Sequence, residues 1–237
     1  MSIINKILVF TATYNESENI LKFINKVFNS SDQIDLLIVD DNSPDMTFEI
    51  IASHPLINKK IFLNVREKKL GLDTAHKFAY NYAKKKNYNK LITMDADLSH
   101  DPKEIPKIIN LLEQYEFVLG SRYIEGAKNN QSKIRYMLSY FGNKLIKMIL
   151  DSELNEYTSS YRGFNLDKLK DFNLNKIKAG GYSFFMGTIY KLKLDNVRMI
   201  EIPIIFDDRH YGKSKIPKIE IFRTLFNLMK ILLKKSL

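Results

Sequence analysis

The segment KLITMDADLSHDPKEIPKIINLLEQYEFVLGSRY, residues 90–123, holds an apolar run, an acidic loop, an amphipathic stretch and a second apolar run. The two apolar runs have strand length and the stretch between them has helical spacing, so the segment reads as one βαβ unit. Asp95 and Asp97 close the first run. Two residues apart on an extended chain, their carboxylates point to one face, where they either repel each other or share a cation. Asp101 stands before Pro102, with Glu104 following, a cap signature that assigns Asp101 to a helix start and not to a ligand set.

The same alternation runs through the preceding sequence. KILVFTATY (6–14), DLLIVDD (35–41) and KIFLNVRE (60–67) read as strands, while ESENILKFINKVFNS (16–30), MTFEIIASH (46–54) and DTAHKFAYNYAKKK (73–86) read as helices. This is the pattern of an α/β domain with a mostly parallel sheet flanked by helices. Asn15 with Glu18, and Ser43 before Pro44, are the expected helix starts. From Gly126 the pattern changes. GAKNNQSK (126–133) is a polar loop, IRYMLSYFGNKLIKMIL (134–150) is a basic amphipathic helix, and VRMIEIPIIFDDR (197–209) is a strand whose Pro203 belongs at an edge or bulge. In IPKIEIFRTLFNLMKILLKKSL (216–237), Glu220, Arg223, Thr224, Asn227, Lys230 and Lys234 share one stripe, leaving a broad apolar face for the sheet or for a membrane interface.

Composition narrows the classes. The chain has 237 residues, 45% of them hydrophobic, enough for one large domain with a substantial core. It has no cysteine, which excludes disulfides, thiolate chemistry and zinc–cysteine sites and fits a reducing compartment. The opening residues read as a first strand, not a signal peptide, and no apolar run is long enough for a transmembrane helix. The net charge of +10 calls for nucleic acid, an anionic membrane or phosphate-bearing substrates, although scattered lysines such as Lys84–Lys86 read as a solvated surface. Neither a G-x-G-x-x-G turn nor a Walker-type loop is present, which weakens dinucleotide and P-loop readings.

Four strand ends carry polar clusters: Thr13-Tyr14-Asn15-Glu16, Asp40-Asp41, Asp95-Asp97 and Ser121-Arg122. Ligands of open α/β sheets bind outside the carboxyl ends of the strands, so the four clusters define one candidate site. Asp95 and Asp97 offer hard oxygens suited to Mg²⁺ or Mn²⁺ bridging to phosphates.

TATYNESEN, IVDDNSPDMT, EKKLGLDTAH, MDADLSHDPKEIP, GSRY and DRHYGKSKI follow in this order. Together they resemble the family 2 glycosyltransferases of GT-A fold, and more narrowly the dolichyl-phosphate (polyprenyl-phosphate) mannose synthases, from about Ile7 to Ile216. The resemblance implies a GT-A glycosyltransferase domain over 1–215 and a basic amphipathic helix over 216–237 that contacts a membrane surface. The implied reaction is metal-dependent, inverting transfer of a hexose, mannose favoured, from a nucleotide sugar, GDP-mannose favoured, to a polyprenyl or dolichyl phosphate. Its place would be the cytoplasmic face of a membrane, with Mg²⁺ or Mn²⁺ as cofactor and small membrane-anchor subunits as candidate partners; no nucleic acid is expected. The alternatives are UDP-glucose or another donor with a glycan or lipid-intermediate acceptor, and a non-catalytic nucleotide-sugar or nucleic-acid binder.

By position, the resemblance gives Thr13, Tyr14, Glu16, Val39, Asp41 and Asp95 to the donor. Asp95 and Asp97 match the metal-binding and catalytic acidic motif, and Ser99 stands where some relatives have a glutamine ligand. Arg122, Arg135, Ser139 and Arg209 match positions that grip the acceptor and donor phosphates, with Lys213 and Lys215 added by charge. Arg162 matches an arginine of some relatives; His100 and His210 receive no catalytic role. An acceptor phosphate is already ionised near neutral pH, so the chemistry needs no strong base. It needs two anions brought together, which forked arginine donors do well. Four departures stand out: Ala12 for proline, Asp73 for glycine, and Phe185 and Gly187 where relatives carry Gln and Glu.

Overall fold

The computed structural model describes residues 6–207 together with Phe226 and Leu228. In chain order the elements are β1 (Ile7–Thr13), α1 (Ile20–Ser30), β2 (Ile34–Asp40), α2 (Thr47–Ala52), β3 (Ile61–Val65), α3 (Leu72–Lys85) and β4 (Lys90–Thr93). A 3₁₀ turn (Pro102–Glu104) leads into α4 (Ile105–Leu111), then β5 (Phe117–Ser121), β6 (Lys128–Asn129), α5 (Lys133–Leu150) and β7 (Arg162–Asn165). A second 3₁₀ turn (Leu174–Lys176) precedes α6 (Tyr182–Leu194), β8 (Met199–Pro203) and β9 (Ile205–Phe206). Among the described residues, seven strands form one sheet in the order β3-β2-β1-β4-β7-β5-β8, and β6 and β9 form a short ribbon.

All pairings in the large sheet are parallel except those of β7, which runs antiparallel to both β4 and β5. Both faces are covered, and the period-2 pleat divides each strand between them. Leu8 and Phe10 of β1 pack with Ala75 and Ala79 of α3 and with Phe184 and Ile189 of α6. Ile7 and Val9 pack on the opposite face with Phe23 and Val27 of α1 and Ile105 and Ile108 of α4. Each such large side chain contributes about 1.5–3 kcal/mol by leaving water. Pro203 ends β8, the edge strand among the described residues, where the missing N–H removes no ladder bond to a further described strand. Gly163 in β7 lets α4 approach closely, since a Cβ there would lie 2.5 Å from Ile108 Cγ2.

Two expected helix starts are displaced. Asn15 sits in the left-handed region at φ 58°, its N–H donates to Ser43 Oγ at 3.0 Å, and α1 begins only at Ile20. Ser43 Oγ donates to Asp40 Oδ2 at 2.6 Å, and α2 begins at Thr47 behind Met46. Each candidate cap is instead used to tie one strand-end loop to the next. Asp101 does cap its turn, accepting from the Lys103 N–H at 3.1 Å. Arg209, His210, Lys213, Lys215 and most of the 216–237 helix lie outside the described residues. Among the described residues, no helix is long and apolar enough to cross a membrane.

Candidate active site

The strand order turns back between β1 and β4: the chain adds β2 and β3 on one side of β1, then crosses to place β4 on the other. Such a switch point opens a crevice at the carboxyl ends of the strands. The β1 and β2 exits are tied to each other there. Asp40, wholly buried, accepts from Thr13 Oγ1 at 2.7 Å, from the Ser43 N–H at 2.8 Å and from Ser43 Oγ. The Glu16 N–H donates to Thr47 Oγ1 at 2.9 Å and the Ser17 N–H to Asp45 Oδ2 at 3.0 Å. Tyr14 and Glu16 therefore stand on a loop fixed from below. Lys69 lies over the Tyr14 ring at 4.4 Å.

Asp41 pairs with Arg66 at 2.5 Å. Burial lifts its carboxyl above the ordinary value, and the guanidinium only partly offsets this. Arg66 is held in turn by Thr74 Oγ1 at 2.6 Å. Val39, one residue before Asp40, is wholly buried in the core beneath the crevice.

The acidic pair occupies the β4 exit. Asp97 is buried, and its Oδ1 accepts both the Ser99 N–H at 3.0 Å and Ser99 Oγ at 2.6 Å. Ser99 thus orients a carboxylate. Asp95 is about one third exposed, with a side-chain accessibility of 35%, and its Oδ1 accepts from Ser160 Oγ at 2.6 Å. Among the described residues no Lys or Arg forms an ion pair with Asp95; its charged-type neighbour is His100, at 3.9 Å. His100 is buried against Tyr161 and Phe206, and burial holds its pKa below the ordinary value, so near neutral pH it brings no charge. Among the described residues, no group of three or more His, Asp or Glu side chains is arranged to hold a metal ion. Two carboxylates, each fixed by a serine hydroxyl at the carboxyl end of the sheet, offer the hard oxygens that suit an Mg²⁺-like ion. The residues present fit such an ion.

The β5 exit carries Arg122. Its Nε and Nη2 make a fork onto Glu156, at 2.7 and 2.9 Å, and Nη2 also donates to Thr158 Oγ1 at 2.8 Å. Its guanidinium carbon lies 5.2 Å from the ring centre of Tyr123 and 5.0 Å from that of Phe206. Tyr123 hydroxyl bonds Ser139 Oγ, which brings α5 against the β5 exit. Arg135, one turn earlier on α5, is exposed.

Arg162 is not a surface arginine. It is buried in β7 and donates to the carbonyls of Ser159 at 2.7 Å, Phe185 at 3.0 Å and Tyr157 at 3.1 Å, with its pKa pulled down to about 9 by burial. Phe185 is buried too, its ring 5.0 Å from that of His76. Asp73, at the start of α3, accepts from the Gly181 N–H at 3.2 Å, placing a carboxylate at the start of α6 as well.

Burial, with Arg162 nearby, pushes His76 down to about 3. A histidine kept neutral in the fold stabilises it fully above the unfolded-state pKa of about 6.5, and that contribution is lost as pH falls from there toward 3. Between pH 6.5 and 5, stability of the wild type should therefore fall more steeply than that of His76→Leu, by up to about 1.4 kcal/mol per pH unit. Urea midpoints across that window check it, and parallel slopes would contradict it.

Arg66, Glu156 and Ser160 are absent from the sequence reading. Arg66 had a signal, since it directly follows the third strand at the edge that carries the other clusters. Glu156 and Ser160 precede β7, whose four residues, RGFN, show no strand pattern.

A sequence model described as Glycosyl transferase family 2 matches residues 8–172. An undecaprenyl-phosphate mannosyltransferase of Micrococcus luteus is 29% identical over 212 residues, covering 89% of this chain and 87% of that one. A polyprenol monophosphomannose synthase of Mycolicibacterium smegmatis is 28% identical over 224 residues, covering 93% and 84%. Among solved structures, glucosyl-3-phosphoglycerate synthase of Mycobacterium tuberculosis, in complex with Mn²⁺, UDP and glucosyl-3-phosphoglycerate, superposes with a TM-score of 0.67. It is 16% identical, with 98% of this chain and 80% of that chain covered.

Proposed function

This chain belongs to glycosyl transferase family 2, and we propose on that premise that it transfers mannose from GDP-mannose to a polyprenyl phosphate. The observation that carries the reading is the pair Asp95 and Asp97, held by Ser160 and Ser99 at the crevice between β1 and β4. The two curated relatives, each matched over most of both chains, bear names for mannosyl transfer to polyprenyl carriers, which supports the acceptor class.

The β1 and β2 exits bind the nucleotide through Tyr14, Glu16 and Asp41. Asp95 and Asp97 would hold Mg²⁺ or Mn²⁺. When bound, that ion supplies Lewis-acid neutralisation of the charge left on the nucleotide. An oxygen of the acceptor phosphate attacks the anomeric carbon from the opposite side. One C–O bond forms, the C–O bond to the diphosphate breaks with inversion, and no proton need move. Arg122, set by Glu156 and next to Tyr123, whose hydroxyl bonds Ser139 Oγ, would take the acceptor phosphate, with Arg135, Arg209 and Lys215 adding positive charge. The enzyme would work at the cytoplasmic face of a membrane.

A second reading rests on Phe185. Its side chain is buried and apolar where the resemblance expects a polar one, so either the donor sugar or the acceptor can differ from mannose and dolichol, and UDP-glucose is the alternative donor. Incubation with labelled GDP- and UDP-sugars, a polyprenyl phosphate and Mn²⁺ separates the two readings. Mannose label in the organic phase, lost with EDTA, is the expected result. Label from UDP-glucose instead supports the second reading, and no label from any donor overturns both.

A further inference from the structure

Asp95 and Arg122 stand at different strand exits, yet two touching rings reach the mounts of both. His100 is 1% exposed. Its Nδ1 accepts the Asp95 N–H at 3.2 Å, so the single ring proton sits on Nε2. Nδ1 is therefore no donor to the Asp95 carboxylate, 3.9 Å away. The bond fixes the backbone of Asp95 and leaves its charge alone. The same ring packs on Tyr161, with 5.2 Å between centres, and on Phe206 at 5.3 Å.

Phe206 serves the other exit. The Arg122 guanidinium carbon, 5.0 Å from its ring centre, is within reach of cation–π attraction. The backbones join as well: His100 and Phe206 form an antiparallel bridge, and the Asp207 N–H donates to the Ser99 carbonyl at 3.2 Å. Residues 99–100 and 206–207 thus clamp the acidic loop after β4 to β9. Packing alone does not call for a histidine in this clamp. His100 Nε2 is buried and, among the described residues, has no hydrogen-bond partner, and a buried donor left unpaired is destabilising. A phenylalanine would fill the same space between the rings without that penalty. What it would lack is the acceptor for Asp95.

We propose that His100 is a positioning residue with two separable roles: Nδ1 sets the Asp95 backbone for the ion, and the ring, through Phe206, sets Arg122 for the acceptor phosphate. The inference rests on the assignment of Asp95 to the ion and Arg122 to the acceptor. Two substitutions part the roles. His100→Phe keeps the ring and removes the acceptor. His100→Asn puts an amide oxygen three bonds from Cα, where Nδ1 stood, and removes the ring. Calorimetry on the full chain reads both roles without turnover. One titration gives the factor by which Mn²⁺ tightens binding of GDP or UDP, whichever the wild type binds better; the other gives affinity for farnesyl phosphate, a short prenyl monophosphate. In His100→Phe the Mn²⁺ factor should fall about fivefold, the worth of one neutral hydrogen bond, with farnesyl phosphate bound as in the wild type. In His100→Asn the Mn²⁺ factor should stand while farnesyl phosphate binds about threefold more weakly, and Phe206→Leu should behave likewise. His100→Phe should also keep the wild-type thermal midpoint; a fall would show that the histidine serves packing and would overturn the proposal. So would variants that shift both affinities together or neither, and in that case a wild type binding both ligands leaves the assignment of the site intact. A wild type with no Mn²⁺ factor, or no affinity for farnesyl phosphate, would overturn that assignment and the proposal with it.

Discussion

Replacing Asp97 by asparagine should lower transfer by about 10³-fold and abolish the Mn²⁺ dependence of nucleotide binding. The substitution is conservative in shape. Asp97 Oδ1 accepts from the Ser99 N–H and Oγ, and an amide oxygen can accept both bonds. What disappears is the negative charge and one hard anionic oxygen, so the loss reports on ion binding and not on misfolding. Two measurements separate these outcomes: initial rates across a Mn²⁺ titration, and calorimetry of nucleotide binding with and without the ion. A variant that binds nucleotide with the wild-type Mn²⁺ dependence would remove Asp97 from the ion site. Ser160→Ala offers a graded companion, since it takes only the 2.6 Å bond from Asp95.

Glu156→Gln should cost the fold roughly 3–5 kcal/mol, because it breaks a buried ion pair by changing one partner. The carboxylate is wholly inaccessible and accepts from Arg122 Nε and Nη2, from the backbone N–H groups of Thr158 and Ser159, and from Thr158 Oγ1. An amide turns one acceptor atom into a donor facing these donors. Burial alone would raise this carboxyl, but Arg122 and the hydrogen bonds outweigh it and hold it below the ordinary 4.5. Its contribution is therefore complete above the unfolded-state value and is lost as pH falls through the lower folded value. Urea unfolding near pH 7 should show a lower midpoint at unchanged slope, with the gap between variant and wild type narrowing in acid. A loss under about 1 kcal/mol would mean that the pair is not what holds the 156–160 segment.

The parallel frame was legible because its strands are apolar on both faces and its helices repeat at 3.6 residues. ILVFTAT and LLIVD admit no other reading once amphipathic stretches separate them. The same logic located Asp95 and Asp97, since carboxylates directly after a buried run must leave the sheet at its edge. Helix starts were less legible. Asn15 and Ser43 have cap chemistry, but their groups bond each other across two loops, a tertiary pairing that local sequence does not encode. Arg162 was opaque for a related reason: a guanidinium satisfied by three carbonyls, two of them in one loop, gives no periodic signal. Val39 shows a different limit, because a position carried over from a resemblance says nothing about whether its side chain reaches the crevice.

Strand β7 has a consequence for how the protein is made. It lies between β4 and β5, yet the chain reaches it only after β5, β6 and α5. During synthesis, β1 to β4 can assemble while β4 still presents an open edge, and β5 has no neighbour to join until residues 162–165 have emerged. The closing of the sheet is thus a late, long-range event. Two carboxylates follow directly after that edge, and charge at the end of an unpaired strand disfavours its pairing with the strands of other chains.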